Sequence, residues 1–276
     1  MTRIVIVGLG LIGGSLGQAL RVRLPSAYVT GVDVAEVLRS PHTAHTAHAT
    51  CDAADRTSVQ AAAASADLVV LAAPVRVIAA QVAELLGCGT VVTDCGSTKR
   101  TIAAAARASL HAARFVPGHP MAGRSEGGLE AAQPDLFAGK TWILCPEASE
   151  PDAVSRVEEL VRAVGAEPRR MSVAEHDRAV ALTSHVPQLI ASALYALAAE
   201  RHALTASGPA FESATRVAGG AESMWRDIFE TNADELSAAL GALTAELEQA
   251  RAALPDASLL LALLARARAG KARPRS

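Results

Sequence analysis

The segment FVPGHPMAG, residues 115–123, places a histidine between a glycine and a proline. Helices and central strands tolerate this pattern poorly, so we expect His119 to lie in a loop that follows a strand containing Phe115 and Val116. An imidazole with its ordinary pKa of about 6.5 is largely neutral at pH 7 and can accept a proton. His119 is therefore a candidate base for removing a hydroxyl proton. The alternative is that it satisfies the backbone of a tight turn.

A glycine-rich segment near the N-terminus, VGLGLIGGSLGQAL at residues 7–20, separates an apolar strand from a helix. In this spacing the first glycine permits a tight turn, the second lets a pyrophosphate approach the backbone, and the third lets helix and strand pack closely. The N-terminus of the helix attracts the phosphates. The predicted cofactor-binding residues are Gly8, Leu9, Gly10, Leu11, Ile12, Gly13, Asp33, Ala73 and Pro74.

An acidic residue, Asp33, ends the second predicted strand 20 residues after Gly13. Its carboxylate can accept hydrogen bonds from the adenosine ribose and would repel a 2′-phosphate, which favours NAD over NADP. Arg39 lies close enough in sequence to leave tolerance of a 2′-phosphate open. The alternative for the whole segment is a glycine-rich turn with a solvated aspartate.

Three segments are predicted to lie at the carboxyl ends of the strands: AAPV at 72–75, DCGSTK at 94–99 and GHPMAG at 118–123. Ligands of doubly wound sheets bind beyond these strand ends, so we expect the three segments to converge on the nicotinamide. Ser97 can share a hydrogen bond with His119 and orient the imidazole or a substrate hydroxyl. It could equally cap the helix that starts near Lys99.

The elements that must position these residues alternate in the first part of the chain. Short apolar runs at 3–8, 28–33, 67–74 and 90–96 are separated by helical patterns, which predicts βαβ crossovers and a parallel sheet covered on both faces. RFVPG and TWILCP are expected to extend this sheet, with one more strand near 167–171. The predicted class is α/β, a Rossmann-type doubly wound, mostly parallel sheet followed by an all-α domain.

Strand patterns end near residue 172, and alanine-rich helical patterns follow. We therefore predict a dinucleotide-binding domain at 1–171, a helical substrate and dimerisation domain at 172–270, and a disordered tail at 271–276. Pro187 should bend or break the first long helix of the second domain just after His185.

Composition excludes several classes of partner. The net charge of −2 does not suit a general polyanion binder, so no nucleic acid is expected. The four cysteines lack CxxC spacing and no signal peptide is evident, which favours reduced thiols and a cytoplasmic protein. The apolar run at 259–265 is too short to cross a bilayer and indicates a buried helix or an oligomer contact, so we expect no membrane association.

Three histidines, His42, His45 and His48, recur at intervals of three residues. This spacing could suggest a metal site. A solvated, low-complexity connector is the favoured interpretation, and we predict no bound metal.

Five motifs together, GLGLIGGSLG, DCGSTK, GHPMAG, LTSHVPQ and MWRDIFETN, resemble the prephenate dehydrogenase family, which includes arogenate and cyclohexadienyl dehydrogenases. The resemblance runs from about residue 3 to 250. It implies NAD-dependent oxidative decarboxylation of prephenate to 4-hydroxyphenylpyruvate in tyrosine biosynthesis, by a homodimer with a Rossmann-type domain and a helical dimerisation domain. The length leaves no room for an added chorismate mutase or full regulatory domain, so we expect a monofunctional enzyme.

The resemblance also implies roles for individual residues. His119 corresponds to the acceptor of the hydroxyl proton, Ser97 to its hydrogen-bonding companion, His185 to a substrate contact, and Arg216 to the arginine that binds a substrate carboxylate. On the residues alone, a histidine at a proline break is more typical of a structural role, and Arg216 of a surface position.

The sequence departs from the family pattern after HPMAG, where many relatives have a small hydroxyl residue and a glutamate. This chain has Arg124, Ser125 and Glu126. Our hypothesis is that Arg124 binds the pyruvyl carboxylate and favours prephenate over arogenate, whose side chain carries an added ammonium. Trp225 would form a wall of the pocket, or alternatively part of the core.

Two other functions remain open from the sequence. One is oxidation of a β-hydroxy acid or an imine on the same architecture; such enzymes commonly depend on a lysine in the helical domain, and residues 172–269 contain none. The other is a non-enzymatic dinucleotide sensor whose helical domain only makes oligomer contacts.

Overall fold

The computed structural model describes residues 2–124, 126–255 and 257–272. Its strands are β1 (Arg3–Val7), β2 (Tyr28–Asp33), β3 (Ala49–Asp52), β4 (Leu68–Leu71), β5 (Val91–Asp94), β6 (Phe115–Val116), β7 (Gly118–Pro120), β8 (Thr141–Leu144) and β9 (Glu167–Arg170). Its helices are α1 (Leu11–Arg23), α2 (Ala35–Leu38), α3 (Thr43–Thr46), α4 (Arg56–Ala64), α5 (Val75–Leu86), α6 (Arg100–Ala106), α7 (Pro151–Ala163), α8 (Val173–Val180), α9 (Val186–Glu200), α10 (Pro209–Thr215), α11 (Glu222–Thr231), α12 (Ala233–Ala252) and α13 (Ala257–Lys271).

The main sheet has six parallel strands in the order β3-β2-β1-β4-β5-β6. Successive residues of β1 face opposite sides, so that Ile4 and Ile6 belong to a core with α1 and α7, whereas Val5 and Val7 belong to a core with α5. This strand order reverses between β1 and β4, where doubly wound sheets bind dinucleotides. The predicted Rossmann-type fold with a helical C-terminal region is confirmed.

The expectation that TWILCP extends the main sheet is wrong. Residues 141–144 form β8, the centre of a separate three-stranded sheet in which β7 is antiparallel and β9 parallel to it. Pro117 follows β6 directly and has no N–H to continue the ladder, so the main sheet ends there. The carbonyl of Pro117 instead accepts a hydrogen bond from Cys145 N at 2.8 Å, which starts the second sheet.

The loop expected around His119 is a short strand, and that expectation is also wrong. His119 lies in β7 opposite Ile143. Because β7 is an edge of the second sheet, Pro120 can occupy it without removing a ladder hydrogen bond that the sheet needs. The strand gives the histidine a fixed backbone.

The predicted domain boundary near residue 172 falls between β9 and α8. Ser172 caps α8 in a capping box with Glu175. Helical backbone then continues past Pro187, and the disruption expected there takes the form of a π turn at Ala181–His185. Val186 N bonds to the carbonyl of Ala181, five residues back, and the widened turn precedes the proline.

The helical region has a small core of its own, formed by Ala181, Val186, Leu236 and Ala239. Many large apolar side chains in its long helices are instead exposed: Leu182, Ile190, Leu194, Tyr195, Leu197, Leu240, Leu247, Leu261 and Leu264.

The stretch Val173–Glu200 is long and apolar enough to cross a membrane by length and composition, with a mean hydropathy of 1.3, but core helices of soluble proteins pass the same test. Of the predicted tail, residues 273–276 lie outside the described residues, whereas Lys271 ends α13.

The histidine-rich segment at 42–50 is more ordered than the predicted connector. It forms α3 and the start of the edge strand β3, with Thr43 and Thr46 buried. His48 Nδ1 accepts a hydrogen bond from Val29 N at 3.1 Å, and its ring stacks on Tyr28. Among the described residues, no group of three or more His, Cys, Asp or Glu side chains is arranged to hold a metal ion.

Candidate active site

The glycine loop between β1 and α1 has three distinct environments. Gly8 has a φ of 94°, and a Cβ there would lie 2.7 Å from the carbonyl oxygen of Ala72. A Cβ at Gly13 would lie 1.8 Å from the carbonyl oxygen of Gly8, so helix and loop touch directly. A Cβ at Gly10 would meet no described atom within 4 Å, which leaves open space beside the backbone where α1 begins.

The start of α1 fits the phosphates of a dinucleotide. Gly10 is its N-cap and supplies no side-chain hydrogen bond, so backbone N–H groups of the first turn are available to an anion. Leu11 and Ile12, in that turn, are partly exposed, whereas the Leu9 side chain is buried against Gly31.

The carboxylate of Asp33 is fixed beside this loop. Its Oδ2 accepts a hydrogen bond from Leu9 N at 2.6 Å, and its Oδ1 accepts one from Val34 N at 2.7 Å. Each oxygen keeps further lone pairs that could accept ribose hydroxyls. Ala73 and Pro74 follow β4 on the other side, and Ala73 N would lie 2.9 Å from a Cβ at Gly8. Asp33 and Ala73 thus lie on two sides of the glycine loop, and the chemistry of these residues fits a dinucleotide.

A fully buried ion pair anchors the strand that carries His119. Lys99 Nζ contacts Asp94 Oδ2 and donates a hydrogen bond to the carbonyl oxygen of Gly118 at 2.6 Å. Asp94 Oδ1 accepts a hydrogen bond from Gly118 N at 3.1 Å. Both polar groups of Gly118 are therefore held by charged side chains, and the backbone next to His119 has little freedom to shift.

His119 is hydrogen-bonded to a histidine of the helical region. Its Nδ1 lies 2.8 Å from Nε2 of His176, and His176 Nδ1 lies 2.8 Å from Oδ1 of Asp177. Burial lowers the pKa of His119 well below its usual range, with further contributions from His176 and Lys99, so the ring is neutral at pH 7. The pKa of His176 is also lowered, because burial outweighs the hydrogen bond to Asp177.

Asp177 joins this chain of histidines to α6. Its Oδ1 accepts a hydrogen bond from Lys99 N at 2.8 Å, and its Oδ2 accepts one from Arg100 N at 2.9 Å. Burial alone would raise the pKa of Asp177, but the hydrogen bonds from His176, Lys99 and Arg100 together lower it by more. The net shift is downward, so the carboxyl is ionised.

Ser97 lies in the loop between β5 and α6 and is partly exposed. The alternative role as cap of that helix is wrong: Lys99 is the N-cap, and Asp177 accepts the N–H groups at its start. In the described part of the chain, the partner of His119 Nδ1 is His176, not Ser97. A contact between Ser97 and a bound substrate stays a prediction.

His185 ends the π turn and is 1% exposed. Its Nδ1 lies 3.3 Å from Nδ2 of Asn232, and its ring meets Trp225 edge-on, with centroids 6.2 Å apart. Burial lowers the pKa of His185 to about 4, although Asp177 opposes this shift. Trp225 is partly exposed and also packs against Phe229, so it borders the site and the core of the helical region.

The two arginines predicted to bind carboxylates are exposed. Arg216 follows α10, and Arg124 follows the segment after β7. Neither forms an ion pair with another described residue, so both guanidinium groups are available, but no contact brings them to His119. Ser125 lies outside the described residues, and Glu126 is exposed. The roles assigned to the two arginines stay predictions.

Polar contacts join the nucleotide-binding region to the helical region near these residues. Thr98 and Thr231 share a hydrogen bond of 2.8 Å between their hydroxyls. Arg76 of α5 contacts Asp227 and Glu230 of α11. The histidine chain crosses the same boundary, so the candidate site is built from both regions.

Sequence reasoning missed four buried polar residues at this boundary: Lys99, His176, Asp177 and Asn232. Lys99 and Asn232 lie within the motifs DCGSTK and MWRDIFETN, which could have marked them. The His-Asp pair lies 57 residues from His119 in sequence and had no local signal, since only the folded chain brings it there.

Two family comparisons match most of the chain. Residues 16–169 match the nucleotide-binding domain of prephenate dehydrogenase, and residues 172–260 match its dimerization domain. Cyclohexadienyl dehydrogenase of Zymomonas mobilis is 33% identical over 91% of this chain and 88% of its own length. Prephenate dehydrogenase of Bacillus subtilis is 32% identical over 84% of this chain, which spans 65% of that longer protein.

Solved structures give the same result. Aquifex aeolicus prephenate dehydrogenase, in complex with hydroxyphenyl propionate and NAD+, is similar with a TM-score of 0.85 and 25% identity, covering 98% of this chain and 97% of that one. Synechocystis arogenate dehydrogenase is similar with a TM-score of 0.77 and 25% identity, covering 98% of this chain and 100% of that one.

Proposed function

The chain belongs to the prephenate dehydrogenase family, and we propose that it catalyses the NAD-dependent oxidative decarboxylation of prephenate to 4-hydroxyphenylpyruvate. The observation that carries this proposal is His119, a neutral imidazole whose Nδ1 is engaged by His176. It lies in β7 next to Gly118. The N–H group of Gly118 is bonded to Asp94, at the end of β5, and its carbonyl oxygen to Lys99, so His119 lies beside the nucleotide-binding sheet.

The reaction requires removal of a proton from the hydroxyl oxygen and of a hydride from the ring carbon that carries this hydroxyl. Bound NAD+ supplies the hydride acceptor at its nicotinamide ring. His119 accepts the hydroxyl proton at Nε2 as the hydride leaves the ring carbon, and Ser97 orients the hydroxyl. Loss of the ring carboxylate as CO2 leaves its electron pair in the ring, which becomes an aromatic phenolate. The phenolate oxygen then takes back the proton from His119, and aromatisation drives the reaction forward.

Prephenate is a dianion, so its site needs cationic or hydrogen-bonding partners for two carboxylates. Arg216 binds one of them through its planar guanidinium group, and Arg124 binds the pyruvyl carboxylate. Both arginines are exposed and unpaired within the described residues, which supports this assignment. His185 and Trp225 contact the substrate from the helical region.

The cofactor is NAD rather than NADP. Asp33 holds a negative charge at the end of β2, where an adenosine ribose lies in this fold, and its carboxylate would repel a 2′-phosphate. The presence of NAD+ in the Aquifex aeolicus relative supports the same choice. A turnover with NADP greater than that with NAD would contradict it.

Arogenate is the second candidate substrate. The relatives include a cyclohexadienyl dehydrogenase and an arogenate dehydrogenase, so the family accommodates both side chains. Arg124 favours prephenate, because the arogenate side chain carries an ammonium that a nearby guanidinium would repel.

The active form is a cytoplasmic homodimer. The match to the dimerization domain and the exposed leucines of α9, α12 and α13 support pairing through the helical region. A monomeric mass in solution would contradict it.

The direct test is to mix the purified protein with NAD and prephenate and to follow NADH absorbance and 4-hydroxyphenylpyruvate by chromatography. We expect both products in equal amounts. Parallel reactions with arogenate, and with NADP, measure the two preferences. NADH formed only from a β-hydroxy acid would indicate the other oxidoreductase class, and cofactor binding without turnover of any of these compounds would indicate a sensor.

A further inference from the structure

We propose that His176 and Asp177 are positioning residues that fix the proton of His119 on Nδ1 and so leave its Nε2 free as the base. This inference rests on the proposed function for its catalytic meaning. Its structural content, the tautomer of one histidine, can be tested without any substrate.

The tautomer follows from the hydrogen bonds in sequence. The ionised carboxylate of Asp177 can only accept, so His176 Nδ1 must donate to it across 2.8 Å. His176 is neutral at pH 7 because its pKa is lowered, and its remaining nitrogen, Nε2, therefore carries a lone pair. That lone pair can only accept, so His119 Nδ1 must donate to it across 2.8 Å. The free lone pair of His119 is then on Nε2.

The hydrogen bonds from His119 through His176 to Asp177 also stabilise His119 after it has accepted a proton. Burial makes the imidazolium form of His119 costly, and Lys99 adds positive charge nearby. A hydrogen bond from an imidazolium to His176 is stronger than one from a neutral ring, and His176 is in turn bonded to the carboxylate of Asp177, so these hydrogen bonds offset part of that cost. His185, which also acts on His119, is neutral at pH 7, and Lys99 is itself paired with Asp94.

Asp177 is fixed independently of the histidines. Backbone N–H groups of Lys99 and Arg100 hold both of its oxygens, and Asn232 holds its carbonyl oxygen at 2.8 Å. His176 and Asp177 are both 0% exposed, so water does not compete for these hydrogen bonds. A carboxylate held at this many points aligns His176, which in turn aligns His119.

Two substitutions at His176 separate the two hydrogen bonds. In His176→Gln, the side-chain amide reaches as far as Nε2 and its oxygen can accept from His119 Nδ1. In His176→Asn, the shorter amide reaches only as far as Nδ1, so it can donate to Asp177 but leaves His119 without a partner. Both variants keep a neutral polar group at the position, and His42→Asn, at an exposed site, is the matched control.

The first measurement is the ring ¹⁵N spectrum of the full-length protein, labelled at histidine, in the presence of NADH. The signals of His119 are those that are missing from the spectrum of His119→Gln. We expect His119 to carry its proton on Nδ1 in the wild type and in His176→Gln, and to mix tautomers in His176→Asn. A wild-type His119 with its proton on Nε2 would overturn the proposal, whether or not prephenate is the substrate.

The second measurement is steady-state kinetics with the best substrate found. We expect kcat to fall about 30- to 100-fold in His176→Asn and less than about tenfold in His176→Gln, with the KM of the substrate and the Kd of NADH within about threefold of wild type. Equal losses in both variants with an unchanged tautomer, or a wild-type kcat in His176→Asn, would contradict a positioning role. Thermal unfolding and NADH binding check that each variant is folded, and the tautomer result stands if it is.

Discussion

The side-chain Nδ2 of Asn232 donates a hydrogen bond to the backbone carbonyl oxygen of Asp177 at 2.8 Å, and both residues are buried. The same Nδ2 lies 3.3 Å from Nδ1 of His185. An amide nitrogen has two protons and no lone pair, so His185 Nδ1 accepts and its Nε2 carries the proton. Asn232 thus links Asp177, the hydrogen-bonding partner of His176, to His185. It also fixes His185 as a neutral ring that can donate a hydrogen bond from Nε2.

Removal of this amide should destabilise the protein and loosen His185. In Asn232→Leu, the carbonyl of Asp177 and Nδ1 of His185 lose their partner, and we expect a loss of about 1–3 kcal/mol in the free energy of unfolding. Urea denaturation at fixed protein concentration measures it. A double-mutant cycle with His185→Gln should give a coupling energy clearly different from zero; purely additive effects would show that the two side chains do not interact.

Replacement of His119 should abolish most of the turnover. We expect His119→Asn to lower kcat by about 100-fold or more, because the proposed base is lost while the fold is kept. The measurement is NADH formation at saturating NAD and substrate. His111→Asn, at an exposed position, should have the wild-type rate. A near-wild-type rate for His119→Asn would remove His119 from the role of base.

Two glycines of the nucleotide loop should respond differently to the same methyl group. Gly13→Ala would place a Cβ 1.8 Å from the carbonyl oxygen of Gly8, so we expect a large loss of thermal stability. Gly10→Ala meets no described atom within 4 Å, so the fold should be kept while the Kd for NAD rises about tenfold or more, because the methyl occupies the place of the pyrophosphate.

Thermal unfolding without cofactor and calorimetric titration with NAD distinguish the two variants. Unchanged NAD affinity in a folded Gly10→Ala variant would mean that the pyrophosphate lies elsewhere. Gly241→Ala, in α12, is a suitable control, because a Cβ there also meets no described atom within 4 Å.

The nucleotide-binding half could be predicted from the sequence because its constraints are local. Gly8, Gly13 and Asp33 each follow from one turn or one strand end, and continuous apolar runs specify parallel strands buried on both faces. The two-residue strand β6 shows the limit of this reasoning. Pro117 ends the main sheet there, and pairing between distant segments, which periodicity does not reveal, decides where β8 goes.

The candidate site could be predicted only in part. The glycine and prolines around His119 mark it in the sequence, but its strand and its partner His176 depend on the tertiary fold. From the sequence, Ser97 is equally suited to capping α6, whereas in the structure Asp177, from another region of the chain, accepts the N–H groups at the start of that helix. Buried polar networks of this kind have no sequence period, since each member is chosen by the shape of the folded interior.

The charge on Arg124 should determine substrate preference. We expect Arg124→Ala to lower kcat/KM for prephenate by about tenfold to 100-fold, and to leave kcat/KM for arogenate unchanged or higher, because one carboxylate partner and one repulsive charge are removed. Both values come from initial rates at saturating NAD. Arg107→Ala, also exposed and without an ion pair among the described residues, should change neither. Equal efficiency of the wild type on both substrates would contradict this prediction.

Stability should fall as the pH drops from neutrality, because His185 is buried in its neutral form. Its pKa is about 4 in the folded protein and 6.5 for an ordinary histidine. Between these values the unfolded chain binds more protons than the folded one, so the free energy of unfolding decreases as pH decreases. At about 1.4 kcal/mol per pKa unit, this one residue accounts for a loss of up to about 3 kcal/mol below pH 4.

Urea denaturation at pH 7 and pH 5, at one protein concentration, measures the effect. The lowered pKa values of His119 and His176 add to it in the same direction, so the wild type should lose more stability than His185 alone explains. His185→Gln should reduce the difference between the two pH values by about 2 kcal/mol, whereas His42→Gln, at an exposed position, should leave it unchanged. If His185→Gln and wild type lose the same stability between pH 7 and pH 5, then His185 titrates normally in the folded protein and is not held as the neutral donor that its contact with Asn232 requires.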